Sequence, residues 1–146
     1  MRIVEKPARE PALVKELLEV WEKSVKATHA FLSPEGIAEI KAKVPQALRE
    51  VPLLVAAENE RGRLAGFMGI GGERLEMLFL LPEHIGTGLG KELLQYGMER
   101  CGVRELTVNE ENPRARSFYE HMGFHVWKRA ETDEQGGPYP LLYMKL

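Results

Sequence analysis

The sequence predicts an α+β fold in which helices cover the faces of one mixed, mostly antiparallel β-sheet. Three apolar runs within residues 53–81 are separated by the turns Asn59–Gly62 and Gly71-Gly72, a pattern typical of an antiparallel meander. Segments with apolar residues at helical spacing lie before and after these runs. The chain has 146 residues, about the length of one domain, and shows no repeat or linker. We therefore expect one domain over residues 1–146, with about six to seven strands and about four helices.

The first part of the chain predicts one strand and two helices. Residues 2–5 form a short strand, and residues 10–27 place Leu13, Leu17, Val20, Trp21 and Ser24 at helical spacing. Ser33 is an N-cap before Pro34 and opens the second helix, which Pro45 kinks or ends. The loop Thr28–Leu32 joins these two helices.

The remaining elements alternate between strand and helix. Strands are expected at 53–58, 63–70, 73–81, 105–108, 124–129 and 141–146, and helices at 88–101 and 113–122. The third strand is followed by a helical crossover, so the end of the sheet should contain parallel as well as antiparallel pairs.

Composition excludes several classes of function. The net charge is -2, and basic residues alternate with acidic ones, so no nucleic acid partner is expected. No apolar run is long enough for a membrane span and no signal-peptide core follows Met1, so we expect a cytoplasmic protein without a membrane partner. Cys101 is the only cysteine and the four histidines lack metal-binding spacing, so neither a disulfide nor a metal site is expected.

A glycine-rich turn, Gly86-Thr87-Gly88-Leu89-Gly90, lies between an apolar strand and a helix start. Glycines let several N–H groups converge on one anion, and the helix N-terminus adds partial positive charge, so the turn can bind phosphate. Glycines also cap helices and close hairpins, which leaves a purely structural role open. The spacing matches neither a Walker loop, which needs Ser or Thr where Glu92 stands, nor a dinucleotide fingerprint.

Two motifs in order resemble the acyl-CoA signatures of the GNAT (Gcn5-related) N-acetyltransferase family. Ile85–Gly90 is similar to its Gln/Arg-x-x-Gly-x-Gly/Ala loop, and Asn112–Phe124 to its Asn-x-x-Ala-x-x-Phe-Tyr-x-x-x-Gly-Phe segment. Trp21–Ser33 and Glu131–Leu142 resemble a bacterial subgroup, the YjaB type. The resemblance implies the GNAT fold and acetyl-CoA as the acyl donor.

The resemblance also implies a set of cofactor-binding residues. In the family, pantetheine pairs with a strand that splays from its parallel neighbour. The implied residues are Leu78, Phe79, Leu80, Ile85, Gly86, Thr87, Gly88, Leu89, Gly90, Lys91, Asn112 and Tyr119. Ile85 departs from the usual Gln or Arg, so backbone amides should carry more of the binding, with His84 or Lys91 supplying charge.

Amine acetylation needs two proton transfers, for which the sequence offers three residues. Tyr119 matches the family tyrosine that protonates the leaving thiolate, although an aromatic residue beside Phe118 could simply fill a core. Either Glu76 or His29 could be the base: Glu76 is expected to share a strand face with Leu78 and Leu80, where apolar neighbours would raise its pKa. His29 lies in the loop that borders the acceptor cleft in this family, and an exposed structural role is open for both.

The acceptor side is implied to contain His29, Phe31 and Tyr139, although Tyr139 could merely stiffen a hairpin. The predicted function is direct transfer of acetyl from acetyl-CoA to a primary amine of a small molecule or peptide, with both substrates bound together. The alternative is a non-catalytic CoA-binding sensor of the same fold, and a protein-acetylating regulator would differ only in its acceptor. The sequence does not distinguish a monomer from a homodimer.

Overall fold

A computed structural model describes all 146 residues of the chain. It contains seven strands and five α-helices. In chain order they are β1 (Arg2–Glu5), α1 (Pro11–Thr28), α2 (Pro34–Lys41), α3 (Val44–Glu50), β2 (Leu53–Glu58), β3 (Leu64–Gly71), β4 (Arg74–Leu80), α4 (Leu89–Arg100), β5 (Glu105–Asn109), α5 (Pro113–His121), β6 (His125–Ala130) and β7 (Leu141–Lys145). A short 3₁₀ turn at Pro82–His84 follows β4.

The strands form one sheet in the order β1-β2-β3-β4-β5-β7-β6. Only β4 and β5 are parallel, and every other neighbouring pair is antiparallel. The predicted fold class, a mixed and mostly antiparallel sheet covered by helices, is confirmed. No helix is both long and apolar enough to cross a membrane.

Each face of the sheet has its own apolar core. Helices α1 and α3 supply buried residues such as Leu17 and Leu48, which lie in one cluster with Phe67 of β3. Helix α4 supplies Leu93 and Leu94 to the cluster on the other face. Truncating a buried leucine of this kind to alanine typically costs about 2–5 kcal/mol, so both helical layers hold the sheet in place.

The second predicted helix, α2, ends before Pro45, and a separate helix α3 follows it, which raises the helix count from four to five. The Ser33 hydroxyl caps α2 by accepting from the Gly36 N–H at 3.0 Å, as its sequence predicts. Helix α2 ends at Lys41, and Pro45 lies in the first turn of α3, where its missing N–H has no intrahelical partner to lose. Of the two expected outcomes, a kink and an end, the structure shows an end before Pro45, and the proline lies at the start of a new helix.

Strand β4 contains a β-bulge at Glu76. Gly69 pairs with Met77 and Ile70 with Leu75, so Glu76 has no partner in β3. The extra residue reverses the alternation of the strand, because Leu75 lies in the α4-side core whereas Met77 packs against the α1-side core.

The parallel pairing of β4 with β5 is very short. It covers only Arg74 with Glu105 and Leu75 with Leu106. Beyond these positions the two strands separate, whereas β5 stays paired with β7 along its whole length. A gap therefore opens within the sheet, bordered by the edge of β4 from Glu76 to Leu80.

Candidate active site

A cleft of about 490 Å³ lies where β4 and β5 separate. It is lined by the end of α1, strand β4, the glycine turn, the start of α4 and one side of α5. The lining residues are Ser24, Thr28, His29, Leu78, Phe79, Leu80, Ile85, Gly86, Gly88, Gly90, Lys91, Asn112, Arg114, Ala115, Phe118, Tyr119, His121 and Met122.

The glycine turn and the start of α4 contain five free N–H groups, four of them in residues that line the cleft. The amides of Gly86, Gly88, Leu89, Gly90 and Lys91 donate no hydrogen bond within the protein. Gly86 and Gly88 have backbone φ angles of 79° and 95°, which residues other than glycine rarely adopt. Because these donors lie at the N-terminus of α4, they form a site suited to a phosphate group.

The edge of β4 provides a second set of free backbone groups. The strand pairs with β3 on one side, but on the side of β5 its pairing ends at Leu75. Leu78, Phe79 and Leu80 line the cleft along this edge. An extended ligand that contains amides can bind there as an added strand.

Asn112, the N-cap of α5, and Tyr119, within that helix, both line the cleft. The Asn112 side-chain oxygen caps the helix by accepting from the Ala115 N–H at 3.2 Å, and its amide nitrogen is left without a protein partner. The Tyr119 ring packs against Phe118 and Phe124, with ring centroids 5.2 and 6.3 Å away. Asn112 therefore caps the helix and still has a free donor.

The Tyr119 hydroxyl is a free proton donor in a largely apolar setting. It makes no hydrogen bond within the protein. Every side-chain oxygen or nitrogen that lacks a partner in this protein is accessible to solvent, so the Tyr119 hydroxyl is accessible from the cleft that this residue lines. Burial of the ring raises the pKa of Tyr119 above its ordinary value. The phenol therefore stays protonated at neutral pH, as an acid must before it acts.

His29 lies at the other end of the cleft, at the C-terminus of α1. The backbone N–H of His29 donates to the carbonyl of Val25 at 2.8 Å, and the ring atom Nδ1 lies 2.7 Å from the Thr28 hydroxyl oxygen. Burial lowers the pKa of His29 below its usual value, so the imidazole is neutral at physiological pH.

The three expected acceptor-side residues are brought together. The Phe31 ring centroid lies 5.2 Å from that of His29 and 6.4 Å from that of Tyr139, which comes from the β6–β7 loop. A Cβ on Gly36 would lie 3.0 Å from the Tyr139 hydroxyl, so the absence of a side chain there allows the approach. Of the three, only His29 lines the cleft, and Phe31 and Tyr139 lie outside the lining.

Glu76 does not lie where the strand pattern predicts. The bulge places it beside Arg74, 3.8 Å from the guanidinium Nε, on the face opposite Leu78 and Leu80. Its side chain is 39% exposed, and Glu76 is absent from the cleft lining. The expectation of a carboxylate among apolar neighbours is therefore wrong.

The side chains of Thr87 and Leu89 also lie outside the cleft, although both were predicted to bind the cofactor. The Thr87 hydroxyl donates to the His84 carbonyl at 2.6 Å, and Leu89 is buried in the α4-side core. The backbone N–H of Leu89 has no partner within the protein. His84 does not line the cleft either. Of the two residues, His84 and Lys91, that could replace the charge missing at Ile85, only Lys91 lines the cleft.

Several lining residues had not been predicted from the sequence, among them Arg114, Thr28 and Ser24. Arg114 lies two residues after Asn112, on the first turn of α5, and has no carboxylate partner, whereas Arg116 pairs with Glu120. A basic residue in the turn that follows Asn112, which was expected to bind the cofactor, was the available signal.

Cys101 is a free, half-buried thiol outside the cleft, and burial raises its pKa. No group of three His, Cys, Asp or Glu side chains is arranged to hold a metal ion.

The match of a family model agrees with this geometry. The model described as an acetyltransferase (GNAT) domain matches residues 11–144, nearly the whole chain. This chain belongs to the GNAT family of acetyltransferases. In this GNAT domain the matched region contains both motifs and every residue that lines the cleft.

Curated and solved relatives resemble the GNAT chain over most of its length. It is 42% identical over 127 residues to the peptidyl-lysine N-acetyltransferase YjaB of Escherichia coli K12, covering 87% of this chain and 86% of that protein. The solution structure of apo YjaB from Escherichia coli aligns with a TM-score of 0.87 at 37% identity, covering 99% of this chain and 97% of the other. The PaiA N-acetyltransferase of Thermoplasma acidophilum, solved with coenzyme A, aligns with a TM-score of 0.70 at 26% identity over the full length of both chains.

These relatives establish the class of reaction. The GNAT chain is an N-acetyltransferase that uses acetyl-CoA as its acyl donor and an amine as its acceptor. A non-catalytic CoA sensor is not favoured, because the relatives with the same fold and motifs are enzymes.

Proposed function

We propose that this enzyme acetylates the side-chain amine of lysine in a peptide or protein. One observation carries the proposal: a single cleft contains the phosphate site at one end and, towards the other, two groups with free proton-transfer atoms, Tyr119 and His29. The choice of lysine is supported by the 42% identity to a protein described as a peptidyl-lysine N-acetyltransferase. The rings of Phe31, which packs beside His29, and of Tyr139, which packs beside Phe31, would suit the apolar stem of a lysine side chain.

Acetyl-CoA would lie along the cleft with its phosphates at the glycine turn. The free amides of residues 86 and 88–91 would hold the pyrophosphate, and Lys91 and Arg114 would add positive charge at the rim. The pantetheine amides would pair with the free edge of β4 at Leu78–Leu80, and Asn112 would donate its side-chain amide. This arrangement brings the thioester towards Tyr119.

Transfer would proceed in one ternary complex. The neutral amine attacks the thioester carbonyl carbon, a C–N bond forms, and the excess proton on nitrogen passes to a base. The C–S bond then breaks, and the Tyr119 hydroxyl delivers its proton to the sulfur as CoA thiol leaves. No covalent enzyme intermediate is needed, and the only cysteine lies outside the cleft.

His29 is the base that the geometry favours. It lines the cleft, and burial lowers its pKa so that it begins the cycle neutral and able to accept a proton. Glu76 is the second candidate, since a carboxylate can also accept the proton, but it is paired with Arg74 away from the cleft lining. We expect His29→Gln to lower kcat more than Glu76→Gln does.

The test uses two peptides that each present one amine. One has a blocked N-terminus and a free lysine, and the other has a free N-terminus and an acetylated lysine. Incubation with acetyl-CoA, followed by mass spectrometry and detection of the released thiol, should show acetylation of the first peptide only. A small diamine serves as the third acceptor.

Tyr119→Phe is the matched control in the same assay. Because it keeps the ring and removes the acid, turnover should fall by about 10²-fold while CoA affinity and melting temperature change little. Acetylation confined to the N-terminus or to the diamine would refute lysine as the acceptor. Equal kcat values in the two forms would remove Tyr119 from the mechanism.

A further inference from the structure

Thr28, the last residue of α1, connects His29 to the backbone of that helix. Its Oγ1 lies 2.8 Å from the carbonyl oxygen of Ser24 and 2.7 Å from Nδ1 of His29. A hydroxyl has one hydrogen, and a carbonyl oxygen can only accept. Two oxygens at 2.8 Å without a hydrogen between them would repel, so the hydroxyl hydrogen must point to Ser24.

The threonine oxygen is then an acceptor towards the imidazole. The contact at 2.7 Å is a hydrogen bond only if Nδ1 carries a proton and donates it to Oγ1. In a neutral ring the other nitrogen, Nε2, is left with a lone pair. Nε2 makes no hydrogen bond within the protein. Because every side-chain nitrogen or oxygen without a partner is accessible to solvent, its lone pair is open to the cleft that His29 lines.

We propose that Thr28 is a positioning residue that holds His29 in the Nδ1–H tautomer, so that Nε2 takes the proton from the acceptor amine. This inference rests on the proposed function, in which His29 is the base. When the amine nitrogen bonds to the acetyl carbon, its proton moves to Nε2, and Nδ1–H stays bonded to Thr28. The resulting imidazolium lies at the C-terminus of α1, where the helix dipole favours a cation, and it later releases its proton to water.

The tautomer can be measured directly. In ¹⁵N-labelled protein at a pH where the ring is neutral, long-range ¹H–¹⁵N spectra distinguish a protonated from an unprotonated imidazole nitrogen, and loss of the signal in His29→Gln assigns it. We expect Nδ1 to be protonated and Nε2 unprotonated in the wild type. A wild-type spectrum with the proton on Nε2 would overturn the proposal without any variant.

Three variants connect the tautomer to turnover. Thr28→Val removes the acceptor oxygen while keeping the branched shape, and it should shift the ring towards the Nε2–H form and lower kcat by about 10-fold or more, with CoA affinity unchanged. Thr28→Ser keeps the hydroxyl and should retain both the tautomer and most of the activity. Thr132→Val makes the same chemical change at an exposed position in the β6–β7 loop and should alter neither.

A Thr28→Val protein with normal kcat, or one whose His29 keeps its wild-type tautomer, would refute the proposal. We would measure kcat with whichever amine is acetylated fastest. If that amine is not a peptide lysine, the proposed acceptor fails, whereas the spectra and the kcat ratios still decide the role of Thr28.

Discussion

Ile85 lines the cleft at a position where related loops usually carry Gln or Arg. Because we expect CoA binding to depend on backbone amides and on the basic residues Lys91 and Arg114, Ile85→Arg should tighten it by about 1–2 kcal/mol through a charge-assisted contact with phosphate. Titration calorimetry measures the difference, and Ile85→Met, which adds no charge, is the control. Unchanged affinity in the folded Arg variant would mean that Lys91 or Arg114 already fills this role.

His29 should make the protein less stable in mild acid. Burial holds its pKa below about 6.5, so the unfolded chain binds a proton on this residue at a higher pH than the folded chain does. The contribution of neutral His29 to stability is therefore complete above about pH 6.5 and is lost as the pH falls towards the folded pKa.

Urea unfolding between about pH 7.5 and pH 5.5 tests this contribution. The wild type should lose more stability over that interval than His29→Gln, which cannot titrate. Because the other three histidines are present in both proteins, they cancel in the difference. Parallel losses in the two proteins would contradict a lowered pKa at His29.

At the level of single residues, the sequence was informative where a motif fixes the backbone. Asn112 and Tyr119 were predicted to face a cofactor site, and both line the cleft, although their roles are still predictions. Glu76 was misplaced because residues 77–81 are apolar without interruption, so no alternation reveals which face each side chain takes. Only the pairing with β3 reveals the bulge.

Among the elements, the start of α4 offers the sharpest test of phosphate binding. Gly88, its N-cap, has φ of 95° and open space around the position of a Cβ, so Gly88→Ala brings backbone strain without a clash. Relief of that strain would turn the amides of residues 88–91 away from one another. CoA affinity should fall by about 10-fold or more, as expected when charge-assisted hydrogen bonds are lost.

Gly62→Ala is the matched control for this change. Gly62 has φ of 75° and equally open surroundings, but it lies in the β2–β3 turn away from the cleft. Both variants should lose about 1–2 kcal/mol of stability. Only Gly88→Ala should bind CoA more weakly, and equal affinities would show that the glycine turn does not hold the phosphates.

The elements themselves were largely predictable, because turns and caps mark their ends. Asn59 and Gly62 set the β2–β3 turn, and Ser33 caps α2, as expected. The end of the second helix near Pro45 was one of the two expected outcomes, but a further helix from Val44 was not predicted, because no Ser, Thr, Asp or Asn precedes it as an N-cap. The break depends instead on how Val44 and Leu48 pack against the core shared with α1.

For the whole molecule, acetyl-CoA should act as a stabilising ligand. Binding only the folded state at about 100 times the dissociation constant adds roughly 2.7 kcal/mol to the free energy of unfolding. For a chain of this length that corresponds to a rise in melting temperature of roughly 5–10 °C. Thermal unfolding with CoA should show this rise, and pantetheine, which lacks the phosphates, should give a smaller one.

The absence of any shift with millimolar CoA would contradict the assignment of the cleft as the CoA site. Gly62→Ala should keep the full shift, and Gly88→Ala should lose most of it at the same concentration. Comparison of the two separates weakened binding from general loss of stability.

The relation between distant loops could not be predicted from residues alone. Tyr139 reaches Phe31 and Gly36 across about a hundred positions of sequence, and the contact depends on how α1 and α2 pack on the sheet. The family resemblance, not the local pattern, pointed to His29, Phe31 and Tyr139 on the acceptor side.

The separation of β4 from β5 has a consequence for which molecules can enter. An outer sheet edge can accept a strand from any passing polypeptide, which makes it an aggregation hazard. Here the exposed edge is enclosed between two strands of the same sheet, with side chains of α5 on one side. A ligand that pairs with this edge must fit between two strands of the same sheet, so we expect the gap to admit pantetheine, which contains amides but no side chains, more readily than a foreign strand.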